Sequence, residues 1–213
     1  MSAAVELDRS AVLTGGAPAP APLLLLLHGF GSDERDLPGL TTHLPAALGW
    51  ASLPGPFPAS PYPGAAGRAW FPITTPGNPD PAPVHAATAA ILDWLDRTVP
   101  AERPVVPLGF SQGGLMVTQL LRARPERFAA GVVLSGFVLA GDQPHDDELA
   151  GVPVFWGRGD ADRVIAADAV ARTETWLPAR TKATVRVYPG LPHSVSAAEL
   201  ADVAAFLETA LTA

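Results

Sequence analysis

Short and almost continuously apolar runs alternate along this chain with longer segments in which apolar residues recur every three or four positions. The runs of strand length cover residues 23–27, 47–53, 105–110, 129–134, 152–156 and 184–188. Continuous apolar runs are typical of strands that helices cover on both faces, whereas half-exposed strands alternate apolar and polar residues. The pattern therefore predicts an α/β fold with a mostly parallel central sheet and helices on both faces.

Helical spacing indicates where those covering helices lie. It is clearest in two sets of positions, Val84, Thr88, Ile91 and Leu95, and then Leu200, Val203, Phe206, Leu207 and Leu211. Ser196 and Glu199 form a capping-box pattern, which predicts that the last helix begins near Ala197. A further helix is expected over residues 112–124, because Pro125 cannot continue it.

Two stretches depart from the alternation. Residues 5–7 and 11–13 are predicted to form a small antiparallel hairpin at the edge of the sheet. Residues 54–83 hold ten prolines and four glycines among thirty residues, which excludes a persistent helix or central strand. The stretch also contains aromatic residues that a solvated linker does not need, among them Tyr62, Trp70 and Phe71. We therefore expect an ordered loop that lies over the sheet.

Composition narrows the classes of function. The 213 residues fit a single domain over 1–213, and 48% hydrophobic against 16% charged residues excludes global disorder. Twenty-one acidic against fourteen basic residues give a net charge of −7, so nucleic acid and anionic membrane surfaces are not expected partners. The chain has no cysteine, which excludes disulfides, thiolate metal sites and a cysteine nucleophile. No spacing of metal ligands appears.

The expected location is the cytoplasm. The first ten residues lack the apolar core of a signal peptide. The five consecutive leucines at residues 23–27 are far too few to span a bilayer, so no stable membrane insertion is expected. The protein is expected to be a monomer or a homodimer.

Residues 109–113 match the pattern Gly-x-Ser-x-Gly, with Ser111 at its centre. An apolar run precedes the pattern and a helical segment follows it, which is the setting of a nucleophile on a sharp turn between strand and helix. Such a turn places the serine at the amino end of a helix, where backbone N–H groups favour developing negative charge. The N–H of Gln112 is the expected first oxyanion donor. The second is expected from Phe30, in the glycine-containing turn after the run at 23–27.

A serine nucleophile needs a base, and the base needs an acid that orients it. His193 lies in a loop between the last predicted strand and the last predicted helix. The acid should follow the run at 152–156, where spacing leaves both Asp160 and Asp162 open. The chain order of serine, aspartate and histidine is that of the α/β-hydrolases.

The remaining histidines are expected to have no catalytic role. His28 is expected to hold the oxyanion turn in place, while His43, His85 and His145 are expected to have no function. The last of these lies in the acidic stretch 142–148, which is expected to be solvated.

Taken together, these motifs resemble the phospholipase/carboxylesterase family of α/β-hydrolases, which includes acyl-protein thioesterases and small bacterial carboxylesterases. The matching stretches span nearly the whole chain, at residues 27–34, 67–71, 109–114, 159–164 and 190–194. Three positions depart from the family pattern. Trp156 stands before Gly157, where the family commonly has histidine; Arg163 stands where proline is usual; and Pro72 stands where an acidic residue often follows the Trp-Phe pair.

The resemblance implies a role for each of the five candidate residues. It implies Ser111 as nucleophile, Asp162 rather than Asp160 as acid, and His193 as base. It also implies an oxyanion hole formed by the N–H groups of Phe30 and Gln112. Such a reaction needs no cofactor.

The substrate expected from the sequence is a small or single-chain ester or thioester. Only about sixteen residues separate Ser135 from Val152, so an inserted cap domain cannot fit, and residues 54–83 become the main wall of an open cleft. Trp70 and Phe71 either line an acyl pocket there or anchor the loop. A carboxylesterase is favoured; the alternatives are an acyl thioesterase or lysophospholipase with a long acyl groove and, more remotely, a non-catalytic binding module.

Overall fold

In the computed structural model, which describes residues 5–59 and 67–212, five strands precede the first α-helix, and strands and helices are interspersed after it. The strands are β1 (Leu13–Gly16), β2 (Leu23–Leu27), β3 (Gly49–Leu53), β4 (Phe57–Pro58), β5 (Arg68–Ala69), β6 (Val105–Phe110), β7 (Gly131–Leu134), β8 (Pro153–Gly159) and β9 (Lys182–Tyr188). The helices are α1 (Pro81–Thr98), α2 (Gln112–Ala123), α3 (Ala167–Arg180) and α4 (Ala197–Ala210).

Seven of the strands form one sheet in the order β1-β3-β2-β6-β7-β8-β9. Strand β1 is antiparallel to β3, and every other pairing in this sheet is parallel. Strands β4 and β5 form a separate antiparallel pair within the proline-rich stretch. The mostly parallel sheet is therefore confirmed. The predicted runs at 23–27 and 105–110 have the observed bounds, and the other four differ at their ends by one to three residues.

The five leucines of β2 explain why the strand runs are continuously apolar. Leu23, Leu25 and Leu27 belong to the cluster that α1, α2 and α3 cover, while Leu24 and Leu26 belong to the cluster that α4 covers. All five side chains are buried. Successive side chains of a strand point to opposite faces, so a strand with helices on both faces needs an apolar residue at every position.

The predicted hairpin at residues 5–7 and 11–13 is wrong. Residues 9–11 instead form a 3-10 turn, in which the Asp8 carboxylate accepts a hydrogen bond from the Ser10 N–H at 3.1 Å. The chain enters the sheet only at Leu13, and β1 pairs with β3, not with a neighbouring strand at the amino terminus.

Helix α1 begins inside the stretch for which we predicted a loop. Asp80 caps the helix by accepting a hydrogen bond from the Ala82 N–H at 3.0 Å, and Pro81 and Pro83 lie in the first turn. The first-turn N–H groups have no intrahelical partner, so prolines there cost the helix nothing. Tyr62 lies outside the described residues.

Helix α3 was not predicted at all. Its buried positions are Ala169, Thr173 and Leu177, a stripe with only one large apolar side chain. It also contains Pro178 in its last turn, which reads in sequence as a helix breaker. Because this apolar stripe is weak, the sequence pattern did not indicate the helix, although the helix covers the sheet.

The connection between β7 and β8 spans residues 135–152 and contains only a short 3-10 turn at Asp146–Leu149, so no cap domain is inserted there. The expectation that the acidic stretch within it is solvated is wrong for Asp146. That carboxylate is buried and accepts two hydrogen bonds from the Arg122 guanidinium, at 2.7 and 2.8 Å. In the described part of the chain, no helix combines the length and apolar character needed to cross a membrane.

Candidate active site

Ser111 lies on the sharp turn between β6 and α2. Its backbone has φ 55° and ψ −113°, a conformation with positive φ that non-glycine residues rarely adopt. The flanking glycines make the turn possible. A Cβ atom on Gly109 would lie 2.2 Å from the Gly113 carbonyl oxygen, and one on Gly113 would lie 1.9 Å from the Leu27 carbonyl oxygen. Strand and helix therefore approach too closely for any side chain at either position.

His193 reaches Ser111 from the loop between β9 and α4. Its Nε2 lies 2.9 Å from the Ser111 Oγ, and its Nδ1 lies 2.7 Å from the Asp162 Oδ2. A carboxylate can only accept, so Nδ1–H donates to Asp162, which leaves Nε2 to accept the serine hydroxyl proton. The Phe110 ring packs against the imidazole with a centroid distance of 4.8 Å. The three side chains form one hydrogen-bonded chain at the carboxyl edge of the sheet.

The two aspartates that spacing left open have different contacts. The second carboxylate oxygen of Asp162 accepts hydrogen bonds from the N–H groups of Val164 at 2.8 Å and Ile165 at 3.3 Å. Asp160 does not contact the histidine; its carboxylate accepts from the Gly190 N–H at 2.7 Å. Asp162 is thus the residue in place to orient His193, while Asp160 joins the two loops.

Phe30 and Gln112 line the same pocket as Ser111 and His193. Gln112 is the first residue of α2, and the first intrahelical bond of that helix runs from Leu115 N–H to the Ser111 carbonyl. The N–H groups of a first helical turn point out of the helix, and they add to the positive end of its dipole. The arrangement can stabilise an anion that forms beside the serine hydroxyl.

His28 holds the turn that carries Phe30, as expected. Its Nε2 accepts a hydrogen bond from the Gly55 N–H at 2.9 Å, so its proton is on Nδ1, which donates to the Gly29 carbonyl at 2.7 Å. Complete burial lowers the pKa of His28. The neutral imidazole that both bonds require is therefore the favoured form.

The Gln112 side chain is a feature that the sequence analysis missed. It is 4% exposed; its Oε1 accepts a hydrogen bond from the Trp70 N–H, and its Nε2 donates to the Phe71 carbonyl, both at 2.7 Å. A sequence signal for these contacts was available. Gln112 is an amide in the first turn of a helix with mostly apolar residues, and a buried amide side chain needs polar partners.

Trp70 is not part of the pocket lining. The side chain is 0% exposed and its indole N–H donates to the His28 carbonyl at 2.8 Å. Of the two sequence alternatives, it anchors the loop beneath the pocket. Phe71, by contrast, lines the pocket.

The pocket that opens beside Ser111 has a volume of about 390 Å³ and mostly apolar walls. One wall is the second half of the proline-rich stretch, through Phe71, Ile73, Thr75, Pro76, Gly77 and Pro79. The other walls include Phe137, Val164 and Ile165. Among the described residues that line it, His193 is the only ionisable side chain. Residues 5–59 and 67–212 contain no cluster of histidine and acidic side chains that could hold a metal ion.

This constellation, a serine on a strained turn with a histidine and an aspartate on the edge of a parallel sheet, is that of a serine hydrolase with the α/β-hydrolase fold. A profile of the phospholipase/carboxylesterase family matches residues 8–211. The chain therefore belongs to the phospholipase/carboxylesterase family of ester hydrolases.

Individual relatives agree with this assignment. Carboxylesterase SOBER1 of Arabidopsis thaliana is 29% identical over 210 residues, which cover 88% of this chain and 90% of the relative. Acyl-protein thioesterase 1 of Kluyveromyces lactis is 26% identical over 225 residues, with 95% and 98% covered. The crystal structure of SOBER1 superimposes with a TM-score of 0.74 at 25% identity, covering 89% of this chain and 99% of that one. A carboxylesterase structure from Mesorhizobium loti has the same fold, with a TM-score of 0.77 at 23% identity and 88% of each chain covered.

Proposed function

We propose that this protein is a carboxylesterase that hydrolyses esters with a short or medium acyl chain through an acyl-enzyme on Ser111. The observation that carries the proposal is the hydrogen-bonded chain from Ser111 through His193 to Asp162, which opens directly on an apolar pocket. Family membership supports the same chemistry.

The first half of the reaction forms the acyl-enzyme. Ser111 Oγ attacks the ester carbonyl carbon while His193 Nε2 takes the hydroxyl proton, and the carbonyl oxygen becomes an oxyanion between the N–H groups of Phe30 and Gln112. The tetrahedral intermediate then collapses. The bond to the leaving alcohol breaks, and the alcohol oxygen takes the proton from His193.

The second half releases the acid. Water takes the place of the alcohol and gives a proton to His193 Nε2 as its oxygen attacks the acyl carbon. A second tetrahedral intermediate collapses, the Ser111 ester bond breaks, and the proton returns to Ser111. Asp162 keeps the proton of the resting imidazole on Nδ1 and stabilises the imidazolium in both halves.

The pocket favours neutral esters over substrates with a charged headgroup. The described residues that form its walls are mostly apolar and include no lysine or arginine, so they offer a phosphate no partner of that kind. At about 390 Å³ it has room for about a dozen groups of water size, at about 30 Å³ each. A short or medium acyl chain fits that space. Thioesters follow the same steps with a thiol as leaving group, and Acyl-protein thioesterase 1 of Kluyveromyces lactis is a relative.

The experiment that tests this proposal is hydrolysis of p-nitrophenyl esters from acetate to palmitate by the wild type and Ser111→Ala. We expect a short or medium chain optimum and a loss of roughly a thousandfold or more in the variant. Thioester analogues of the best chain length, run in parallel, separate the esterase from the thioesterase. An optimum at palmitate would contradict the substrate assignment, and equal activity of the variant would overturn the mechanism.

A matched pair of variants tests the acid. Asp162→Ala should lower kcat by about ten-thousandfold, the size expected when a catalytic histidine loses the group that fixes its tautomer. Asp160→Ala removes a carboxylate from the same turn but leaves the Asp162 contact to His193 intact, so it should cost little. If the two losses were equal, Asp162 would have no special role.

A further inference from the structure

The two backbone N–H groups of the proposed oxyanion hole come from separate parts of the chain. Phe30 follows β2, and Gln112 follows β6. Both N–H groups must point at one oxygen atom, and a donor displaced by about 1 Å can cost on the order of a hundredfold in rate. Something must therefore hold the two segments at a constant separation.

Trp70 contacts both segments at once. Its backbone N–H donates to the side-chain oxygen of Gln112 at 2.7 Å, and its indole N–H donates to the carbonyl of His28 at 2.8 Å. Trp70 and His28 are 0% exposed and Gln112 is 4% exposed, so water cannot readily replace either bond. A single residue thus joins the residue that carries one donor to the turn that carries the other.

The His28 end of this bridge is itself held. The imidazole accepts from the Gly55 N–H at 2.9 Å and donates to the Gly29 carbonyl at 2.7 Å, and the imidazole and indole rings lie 5.2 Å apart. The Gln112 end is held by a second bond, from its amide nitrogen to the Phe71 carbonyl at 2.7 Å. Because both ends are held, the hydrogen bonds of Trp70 fix the distance between the turn that carries Phe30 and the start of α2.

We propose that Trp70 is a positioning residue that sets the separation of the Phe30 and Gln112 N–H groups in the oxyanion hole. The inference rests on the proposed function. Trp70 does not line the pocket, so its effect would be exerted through the two segments that it joins. A residue that only anchored the loop would need its apolar contacts but not these two bonds.

The test is Trp70→Phe, which keeps an aromatic ring but removes the indole N–H. We expect kcat for the best p-nitrophenyl ester to fall by about ten- to a hundredfold, with KM nearly unchanged, because the oxyanion exists only after attack. A trifluoromethyl ketone of the same chain length forms a tetrahedral adduct with serine, and its affinity should fall by the same factor. The matching methyl ketone, which reports binding before attack, should bind as to the wild type.

Two further variants keep the test decisive. Trp156→Phe is the matched control, since Trp156 is also 0% exposed and its indole N–H donates to the Gly136 carbonyl at 3.1 Å. Gln112→Met removes the other end of the bridge with little change in volume, and it should give the same selective loss of the trifluoromethyl ketone even if Trp70→Phe does not fold.

Three outcomes would overturn the proposal: a loss carried by KM, equal weakening of both ketones, or a Trp70→Phe effect no larger than that of Trp156→Phe. Failure of the proposed function is a separate result. In that case the wild type itself would neither hydrolyse the esters nor form the trifluoromethyl ketone adduct.

Discussion

Two regions of the molecule each bury a carboxyl group, but only one of them supplies it with hydrogen-bond donors. In the connection between β7 and β8, Asp146 is 2% exposed and accepts two hydrogen bonds from the Arg122 guanidinium. Where α4 packs on β8, Glu199 is 0% exposed, and neither of its carboxylate oxygens has a hydrogen-bond partner among the described residues. Burial disfavours the charge of both groups, so the difference between them is the partner.

The presence or absence of a partner shifts the pKa values of the two carboxyl groups in opposite directions. Burial pushes the pKa of Asp146 upward, but the hydrogen bonds from Arg122 and from the Gln143 N–H outweigh it and hold the pKa below its ordinary value. Burial raises the pKa of Glu199 to about 7, and the nearby Asp202 acts in the same direction. At neutral pH one buried carboxyl is charged and paired, whereas the other is partly protonated and is a source of instability.

The largest expected effect comes from breaking the buried ion pair between Arg122 and Asp146. Arg122→Met removes the cation and leaves Asp146 buried without it, which should lower the free energy of unfolding by about 3–5 kcal/mol. Urea denaturation at pH 7 measures it. Arg124→Met on the same helix end is the control, because the Arg124 pair with Asp96 is partly exposed and should contribute less than about 1 kcal/mol. Equal losses would show that burial of the pair is irrelevant.

Replacing the unpaired carboxyl of Glu199 should have the opposite effect and raise the free energy of unfolding at neutral pH. Below the ordinary glutamate pKa, Glu199→Gln and the wild type should be about equally stable, because Glu199 is protonated in both folded and unfolded states. As pH rises from about 4.5 to about 7, the unfolded wild type releases a proton that the folded one retains, so the wild type loses stability relative to the variant. Above pH 7 the difference should level off near 3 kcal/mol, at about 1.4 kcal/mol per unit of pKa.

Urea denaturation between pH 4 and pH 8 checks this profile. Glu208→Gln, an exposed position on the same helix, is the control and should show no such dependence. A Glu199→Gln variant less stable than the wild type at pH 8 would mean that the carboxylate has a partner in solution.

The smallest expected effect concerns the amino-terminal cap of α4, the helix that carries Glu199. Ser196 caps α4 by accepting a hydrogen bond from the Glu199 N–H at 3.1 Å, so the N–H has the partner that the carboxyl lacks. Ser196→Ala should cost about 1 kcal/mol of unfolding free energy. Thr209→Ala, which removes an exposed bond within the helix, should change stability by less than about 0.5 kcal/mol. A difference between them too small to measure would rule out the cap.

Local sequence patterns predicted the sheet and, within the hydrogen-bonded chain, Ser111 and His193, whereas the choice of Asp162 came from the family resemblance. Continuous apolar runs identify doubly covered strands, and parallel strands bring Ser111, Asp162 and His193 to one edge. Spacing could not separate Asp160 from Asp162, since the choice depends on where each carboxylate points across to another loop. The capping box at Ser196 was readable because its partners are three residues apart.

The features that were missed depend on partners far away in the chain. Asp146 was expected to be solvated because its neighbours are acidic, and only Arg122, 24 positions away, makes its burial possible. The Gln112 side chain bonds to residues 41 and 42 positions away. Helix α3 was missed for a different reason, since its buried stripe includes Thr173 and no long apolar pattern.

Val164 gives the active site a route for evolutionary change. Its N–H binds the Asp162 carboxylate, while its side chain lines the pocket and is 62% exposed, the largest such value among the large hydrophobic residues described. The backbone contact does not depend on which side chain the position carries, provided that it retains an N–H. Substitutions at Val164 can therefore alter which substrates enter without disturbing the acid, so that new specificities can arise from a single codon.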